Sequence, residues 1–251
     1  MNFAPLVDDW PTQREVLRRI ATHVVAQAQV RETGHFSLMA LPGGFGTPQF
    51  GARRTRVRVV GGSLFVERAG GERDGEATAT TEVVTIAGST ITTLCAAIGF
   101  TPDPNLSVGH DTPPLGDPDD MLVVESATAF VLGDWYTLGH RAIDEAVASL
   151  PDARASIARL WPEHFDLGID LAVDHARKPG RRCNLGAAAG DASHQEPYLY
   201  VGPWGPERPE PEEYWNAPFG ATMSFGELDA ADNPLALATE FFLHGIALLR
   251  S

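Results

Sequence analysis

Residues 165–174 alternate without a break. Phe165, Leu167, Ile169, Leu171 and Val173 fall on one side, and Asp166, Gly168, Asp170, Ala172 and Asp174 on the other. A two-residue period puts every apolar side chain on one face of a strand, which lays that face on a core and leaves the other polar. Such half-buried strands belong to antiparallel sheets, because parallel strands are covered on both faces and read as continuous apolar runs. The loop HARKPG (175–180) leads to a partner with Cys183 and Leu185 on one face and Arg182, Asn184 and Gly186 on the other. Matching the apolar faces predicts a register in which Asp174 faces Arg182, Ala172 faces Asn184, Asp170 faces Gly186 and Asp166 faces Gly190. A third strand is expected over 198–201.

The first half repeats the pattern. Thr55, Val57 and Val59 alternate with Arg54, Arg56 and Arg58, Gly61-Gly62 supplies a two-residue turn, and Leu64 and Val66 resume the alternation. Residues 35–41 read as a short strand entering the turn PGGFGTP (42–48), and 82–86 as a further strand. Helices are expected where apolar residues recur at helical spacing. One runs from a Thr12/Glu15 capping box through Leu17, Ile20, Val24 and Ala28 to Gly34, and a second from Ser89 through Leu94 and Ile98 to Gly99. A third carries Val131, Trp135, Leu138, Ala142 and Ala146 up to Pro151. A short one capped by Asp152 ends near Leu160, and the last spans Pro234 to Leu249. Strands joined by tight turns instead of crossover helices predict an α+β fold, with antiparallel sheets built from hairpins and helices packed on one side. A chain of 251 residues suits a single globular unit. Five prolines mark 102–118 as a connector, so 1–101 and 119–251 are the two halves the sequence suggests.

Charge narrows the partners. The chain carries 33 acidic and 19 basic side chains, for a net charge of −14. Phosphate binding wants a basic surface, so nucleic acid and anionic membranes are not expected partners. Cys95 and Cys183 are too sparse for a disulfide framework or a metal knuckle. The start MNFAPLVDDWP has no basic stretch ahead of an apolar one, and the uncharged run 83–102 is broken by Gly88, Ser89, Gly99 and Pro102. A cytoplasmic protein is the expectation.

The familiar catalytic signatures are missing: no Gly-x-Ser-x-Gly elbow, P-loop, His-Glu-x-x-His or Gly-x-Gly-x-x-Gly. PGGFGTP lacks the Lys-Ser/Thr and helix start of a phosphate loop and reads as a plain turn. The Arg54/Arg56/Arg58 row reads as a solvated strand face, with anion binding as the sharper alternative. The richest region is 161–204, with Trp161, His164, Asp166, Asp170, Asn184, Asp191, His194, Tyr198, Tyr200 and Trp204. In the predicted register His164-x-Asp166 and Asp191-x-x-His194 meet at one end of the hairpin. Two His and two carboxylates (His164, Asp166, Asp191, His194) suit Zn, Mn or Fe(II), and without metal they suit an acid–base pair. A polar sheet face that only meets water stays open beside both. Glycines opposite the two Asp leave room over the sheet, with Trp161, Trp204, Tyr214 and Trp215 as a roof. His110-Asp111, in the connector, is an outlying pair within reach of the same site.

The strings LWPEHFD (160–166), NLGAAAGD (184–191) and EPYLYVGPW (196–204), with GGFGTP and VGHDTPPLGDP before them, resemble an uncharacterised actinobacterial protein family over nearly the whole chain. They are more distantly similar to a domain-of-unknown-function family with a PHFDLA-type strand. This chain has Ala188-Ala189 where the pattern suggests Ser-Pro. The resemblance implies an actinobacterial source and an intracellular setting, and it brings no activity and no cofactor.

Two functional expectations follow. One is a small-molecule-binding protein or enzyme over the polar face of 165–201, with Asp166 or Asp170 as base or anchor, His164 and His194 as proton donors or ligands, and Trp161, Asn184, Asp191, Tyr198, Tyr200 and Trp204 as binding groups. The other is a non-catalytic interaction protein, a homodimer for instance, that uses the aromatic and proline-rich loop 202–220 as its contact surface.

Overall fold

A computed structural model describes residues 3–69, 72–73, 76–77, 79–150, 152–173, 181–206 and 208–251. The fold is α+β, with two principal antiparallel sheets and helices. The chain forms two compact units, one from Pro5–Asp134 and Leu160–Phe165, the other from Met1–Ala4, Trp135–Arg159 and Asp166–Ser251. The division falls inside the long helix and not in 102–118. That segment is held within the first unit by the opening helix: Arg18 Nη2 donates to Asp111 O at 2.7 Å, Arg19 Nη2 to Leu115 O at 2.5 Å, and His23 Nε2 to Pro113 O at 2.8 Å. Proline-rich backbone has few N–H groups to give, so the helix supplies donors to its carbonyls.

In the first unit α1 (Trp10–Ile20) continues through a π-helical stretch, Ala21–Ala26, into α2 (Gln27–Thr33), and Gly34 ends it at φ 74°. The expected Thr12/Glu15 capping box does not form. Pro11, preset for a first helical turn, starts the helix earlier, and Glu15 pairs with Arg14 and Arg18 at 3.0 and 3.1 Å. The sheet has the order β1 (Met39–Leu41), β2 (Gly44–Gly46), β3 (Arg56–Val60), β4 (Ser63–Arg68), β7 (Thr80–Thr85), with a small hairpin of β5 (Glu72–Arg73) and β6 (Glu76–Ala77) beside it in sequence. Val60 pairs with Ser63 across the expected Gly61-Gly62 turn. Val57, Val59, Leu64 and Val66 are fully buried with Ile20, Val24 and Leu94.

PGGFGTP is more than a turn, since its centre is β2. The glycines there admit a helix: a Cβ on Gly133 would stand 2.6 Å from Gly43 N. α3 (Ile91–Ile98) is capped by Thr90, which accepts from Thr93 N at 3.1 Å, while the expected cap Ser89 turns back to Thr85 O at 2.6 Å. α4 (Ser126–Ala148) begins in this unit.

The second unit takes α4 from Trp135 onward. The short helix expected after Asp152 is replaced by β8 (Arg154–Ala155), because Ala155 finds Leu171 as an edge-strand partner, and by β9 (Arg159–Trp161), which ends in the first unit. β10 (Asp166–Ala172), β11 (Arg182–Ala188), β12 (Tyr198–Pro203) and β13 (Ala221–Ser224) complete a sheet of order β13-β12-β11-β10-β8. α5 (Phe225–Asp229) opens with a Ser224/Glu227 capping box, and α6 (Pro234–Arg250) is capped by Asn233. The apolar face carries α4 and α6. A Cβ on Gly139 would meet Leu199 Cδ2 at 3.7 Å, and one on Gly245 would meet Val201 Cγ1 at 3.1 Å.

The β10–β11 register differs from the predicted one by two residues: Asp166 faces Ala188, Asp170 faces Asn184 and Ala172 faces Arg182. A two-residue slip keeps every side chain on its face, so the apolar pattern accepts both registers. The observed one places Gly168 opposite Gly186. The predicted partner Asp174 and the loop residue His175 lie outside the described residues. Among the described residues no helix is long and apolar enough to cross a membrane.

Candidate functional site

The polar face of the second unit's sheet is built by register. Asp166, Ala188 and Tyr198 stand in one row, and Gly168, Gly186 and Tyr200 in the next. Tyr200 lies over the glycines: a Cβ on Gly186 would overlap its ring, and one on Gly168 would stand 2.9 Å from its hydroxyl. The room that the glycines were expected to leave for a ligand is therefore occupied by the Tyr200 ring. Its hydroxyl donates to Asp166 Oδ2. Burial, then the Asp166 charge, push this phenol well above its usual range, so it keeps its proton.

Asp191 organises the adjoining loop. Its Oδ1 accepts from the amides of Ser193 and His194 at 2.6 and 2.8 Å, and its Oδ2 accepts from Tyr198 Oη at 2.6 Å. Burial raises the Asp191 carboxyl, but these three bonds outweigh it and hold the group below its ordinary value. The His194 ring packs on Tyr198 at 4.8 Å between centroids, with Nδ1 3.9 Å from Asp191 Oδ1. Phe219, from the loop before β13, completes the cluster. Its centroid is 6.3 Å from Tyr198 and 6.4 Å from Tyr200, and the two tyrosines are 6.3 Å apart. Phe219 is 40% exposed, so the group opens to solvent on that side.

Toward the other end of the face Asp170 accepts from Arg182 Nε at 3.0 Å and from its Nη2. The guanidinium lies 4.8 Å from the Trp204 ring centroid, and Trp204 Nε1 donates to Asn184 Oδ1 at 2.9 Å. Asp170 is thus held in an ion pair with Arg182. Trp204 is 59% exposed.

The remaining expected members lie elsewhere. His164 belongs to the first unit, where its Nδ1 is 3.4 Å from Asp111 Oδ2 while His110 Nδ1 bonds Asp111 Oδ1 at 2.9 Å. The His110 bond is the leading cause that holds the Asp111 carboxyl below its ordinary value. Trp161, in the same unit, packs on Phe36 at 5.8 Å. Tyr214 and Trp215 do not roof the sheet. Tyr214 Oη donates to Phe241 O at 2.8 Å and Trp215 Nε1 to Pro209 O at 2.7 Å, which ties that part of 202–220 to α6 and to itself. Of the four residues His164, Asp166, Asp191 and His194, Asp191 and His194 stand together, Asp166 accepts from Tyr200, and His164 stands beside Asp111. Among the described residues no three His, Cys, Asp or Glu side chains are grouped to hold a metal ion. Cys95 and Cys183 are free and buried, and burial pushes each thiol up to about 12.

Alternation placed Arg182 on this face beside Asn184 and Gly186, but it missed Phe219, which arrives from a loop with no period to place it. The chain matches no protein-family model, no curated protein and no solved structure.

Proposed function

We propose that the chain is a small-molecule-binding protein whose ligand is an organic cation held over Tyr198, Tyr200 and Phe219. The observation that carries this is the triangle of rings, 6.3–6.4 Å apart, with a carboxylate bonded to each phenol. Aromatic faces attract cations within about 6 Å of the centroid, and quaternary ammonium groups are the ligands such clusters recognise. Carboxylates that accept from the phenols add negative potential beneath the rings, and the net charge of −14 draws cations toward the surface. Binding is favoured over catalysis because Asp170 is spent on Arg182 and His164 stands beside Asp111.

The test is titration of the full chain with tetramethylammonium and with neutral tert-butanol, followed by aromatic NMR shifts. The cation should shift the Tyr198 and Tyr200 resonances and tert-butanol should not. Phe219→Ala, at a half-exposed loop position, should weaken the response about tenfold without unfolding the chain. Equal responses to the two probes, or an unchanged response in F219A, would reject the assignment.

A further inference from the structure

The first unit carries a cavity of about 470 Å³ whose lining includes Arg31, Arg53 and Arg68, with Phe50 and Phe100 as apolar wall. In a chain with 33 acidic and 19 basic side chains, three arginines lining one cavity is an uneven use of positive charge. Several arginines elsewhere in this unit are committed to acceptors. Arg18 and Arg19 hold main-chain carbonyls, and Arg58 pairs with Glu67 at 2.5 Å and lies over Phe65.

The cavity arginines differ. Arg31 has its guanidinium over the Phe100 ring at 5.1 Å, which leaves its N–H edges available. Arg53 sits on an exposed turn closed by the Phe50 and Thr55 main chains at 2.8 and 2.9 Å, and among the described residues its side chain has no ion-pair partner. The next residue, Arg54, is held at φ 46°, in the left-handed region that disfavours a side chain, and is turned onto Gln49 at 2.8 Å. Arg68 is the fixed member: its Nη2 donates to the carbonyls of Ala97 and Ile98 at 3.2 and 2.9 Å, at the end of α3. One carboxylate, Glu32, also lines the cavity, and it lies against Gly51, where a Cβ would collide with it.

We infer that this cavity binds a small organic anion, an aromatic or apolar body bearing a carboxylate or phosphate group. The head group is taken by the forks of Arg31 and Arg53, whose planar donors match both oxyanions, and the body lies against Phe50 and Phe100. The volume falls within the range of small-molecule sites, roughly 300–1,000 Å³. The site is separate from the ring cluster of the second unit and takes ligands of the opposite charge.

The experiment is calorimetric titration of the full chain with phenyl phosphate, benzoate and neutral benzyl alcohol, for the natural chain, Arg53→Gln and the double variant R31Q/R53Q. Both anions should bind, with affinity that falls as salt is raised, and benzyl alcohol should give no heat. Tighter binding of phenyl phosphate assigns the head group as phosphate, and tighter binding of benzoate assigns it as carboxylate. Arg53→Gln should weaken the anions about tenfold and the double variant further, since a hydrogen bond to a charged group is worth about that factor or more. Arg53 lies on an exposed turn, so the single variant keeps the fold and the result stays interpretable if the double variant is unstable. Anion binding unchanged in Arg53→Gln, or no binding of either anion at millimolar concentration, would overturn the assignment.

Discussion

On the sheet face of the second unit, the carboxylates are answered from within: Asp166 by Tyr200, Asp170 by Arg182, Asp191 by Tyr198 and two loop amides. In the cavity of the first unit, Arg31 lies over a ring face and Arg53 stands on an exposed turn. The contrast follows from what each charge costs. A carboxylate withdrawn from water without donors loses several kcal/mol, so a half-buried acidic face has to carry its own partners. A guanidinium on an exposed turn keeps its hydration and can stay uncommitted. The first arrangement is rigid before any ligand arrives, and the second holds donors in reserve. Substitutions in the two places should therefore differ in kind: on the sheet face they cost stability, and at Arg53 they cost only binding.

The largest effect is expected at Gly186. Gly186→Val places two methyl groups where the Tyr200 ring lies, and the neighbouring strands leave the ring no path except outward. Overpacking of this sort costs about 1–3 kcal/mol, and loss of the Tyr200–Asp166 bond adds to it, so urea unfolding should show a drop near the top of that range. An unchanged midpoint would mean that the face is looser than the contrast requires.

Tyr200→Phe comes next. It removes one donor from the buried Asp166 carboxylate, at a cost of about 1–3 kcal/mol near neutral pH. It also has an alkaline signature. The folded phenol titrates well above its unfolded value of about 10, so its contribution is complete below pH 10 and is lost as pH rises beyond it. The variant should reduce the alkaline slope of stability by about one proton, roughly 1.4 kcal/mol per pH unit. Cys95 and Cys183, with thiols raised to about 12, give a loss of the same sign that the variant leaves in place.

Asp191→Asn reports on the acid side. The folded carboxyl titrates below its unfolded value, so its contribution is present above about pH 4 and lost as pH falls through the lower folded value. Replacement should cost about 1 kcal/mol at pH 7, because the amide oxygen still accepts, and should flatten the decline below pH 4. A decline as steep as that of the natural chain would place the acid lability elsewhere.

The face that forms this site was legible from alternation, because burial of one side of a strand imposes a period of two. Its pairings were not. Two registers separated by two residues present the same faces, and the choice between them rests on the Tyr200 ring over Gly168 and Gly186, a contact spanning three strands. The same limit explains why His164 and Asp166, two apart in sequence, acquire different partners: Phe165 between them sits at φ 56°, which breaks the strand period just where it had been extrapolated. The π-helical stretch in the opening helix keeps Val24 and Ala28 buried and so leaves the apolar spacing looking like an ordinary helix. The cavity was invisible for another reason. Arg31, Arg53 and Arg68 come from a helix, a turn and a strand, and the row that does stand out in sequence, Arg54/Arg56/Arg58, is instead partly spent on Gln49 and Glu67.

The smallest effect tests the contrast most sharply. Arg53→Gln should change stability by no more than about 0.5 kcal/mol, since exposed side chains without committed partners contribute little. Arg182→Gln, at 40% side-chain exposure and paired with Asp170 at 29%, is the natural control, because it removes a cation of the same type whose bonds are already made. That substitution should cost up to about 1 kcal/mol, the scale of a partly exposed ion pair, and leave phenyl phosphate binding unaltered. If Arg53→Gln destabilised the chain as much as Arg182→Gln, the cavity arginine would have a structural partner, and the distinction between committed and reserved charge would fail at the residue on which it most depends.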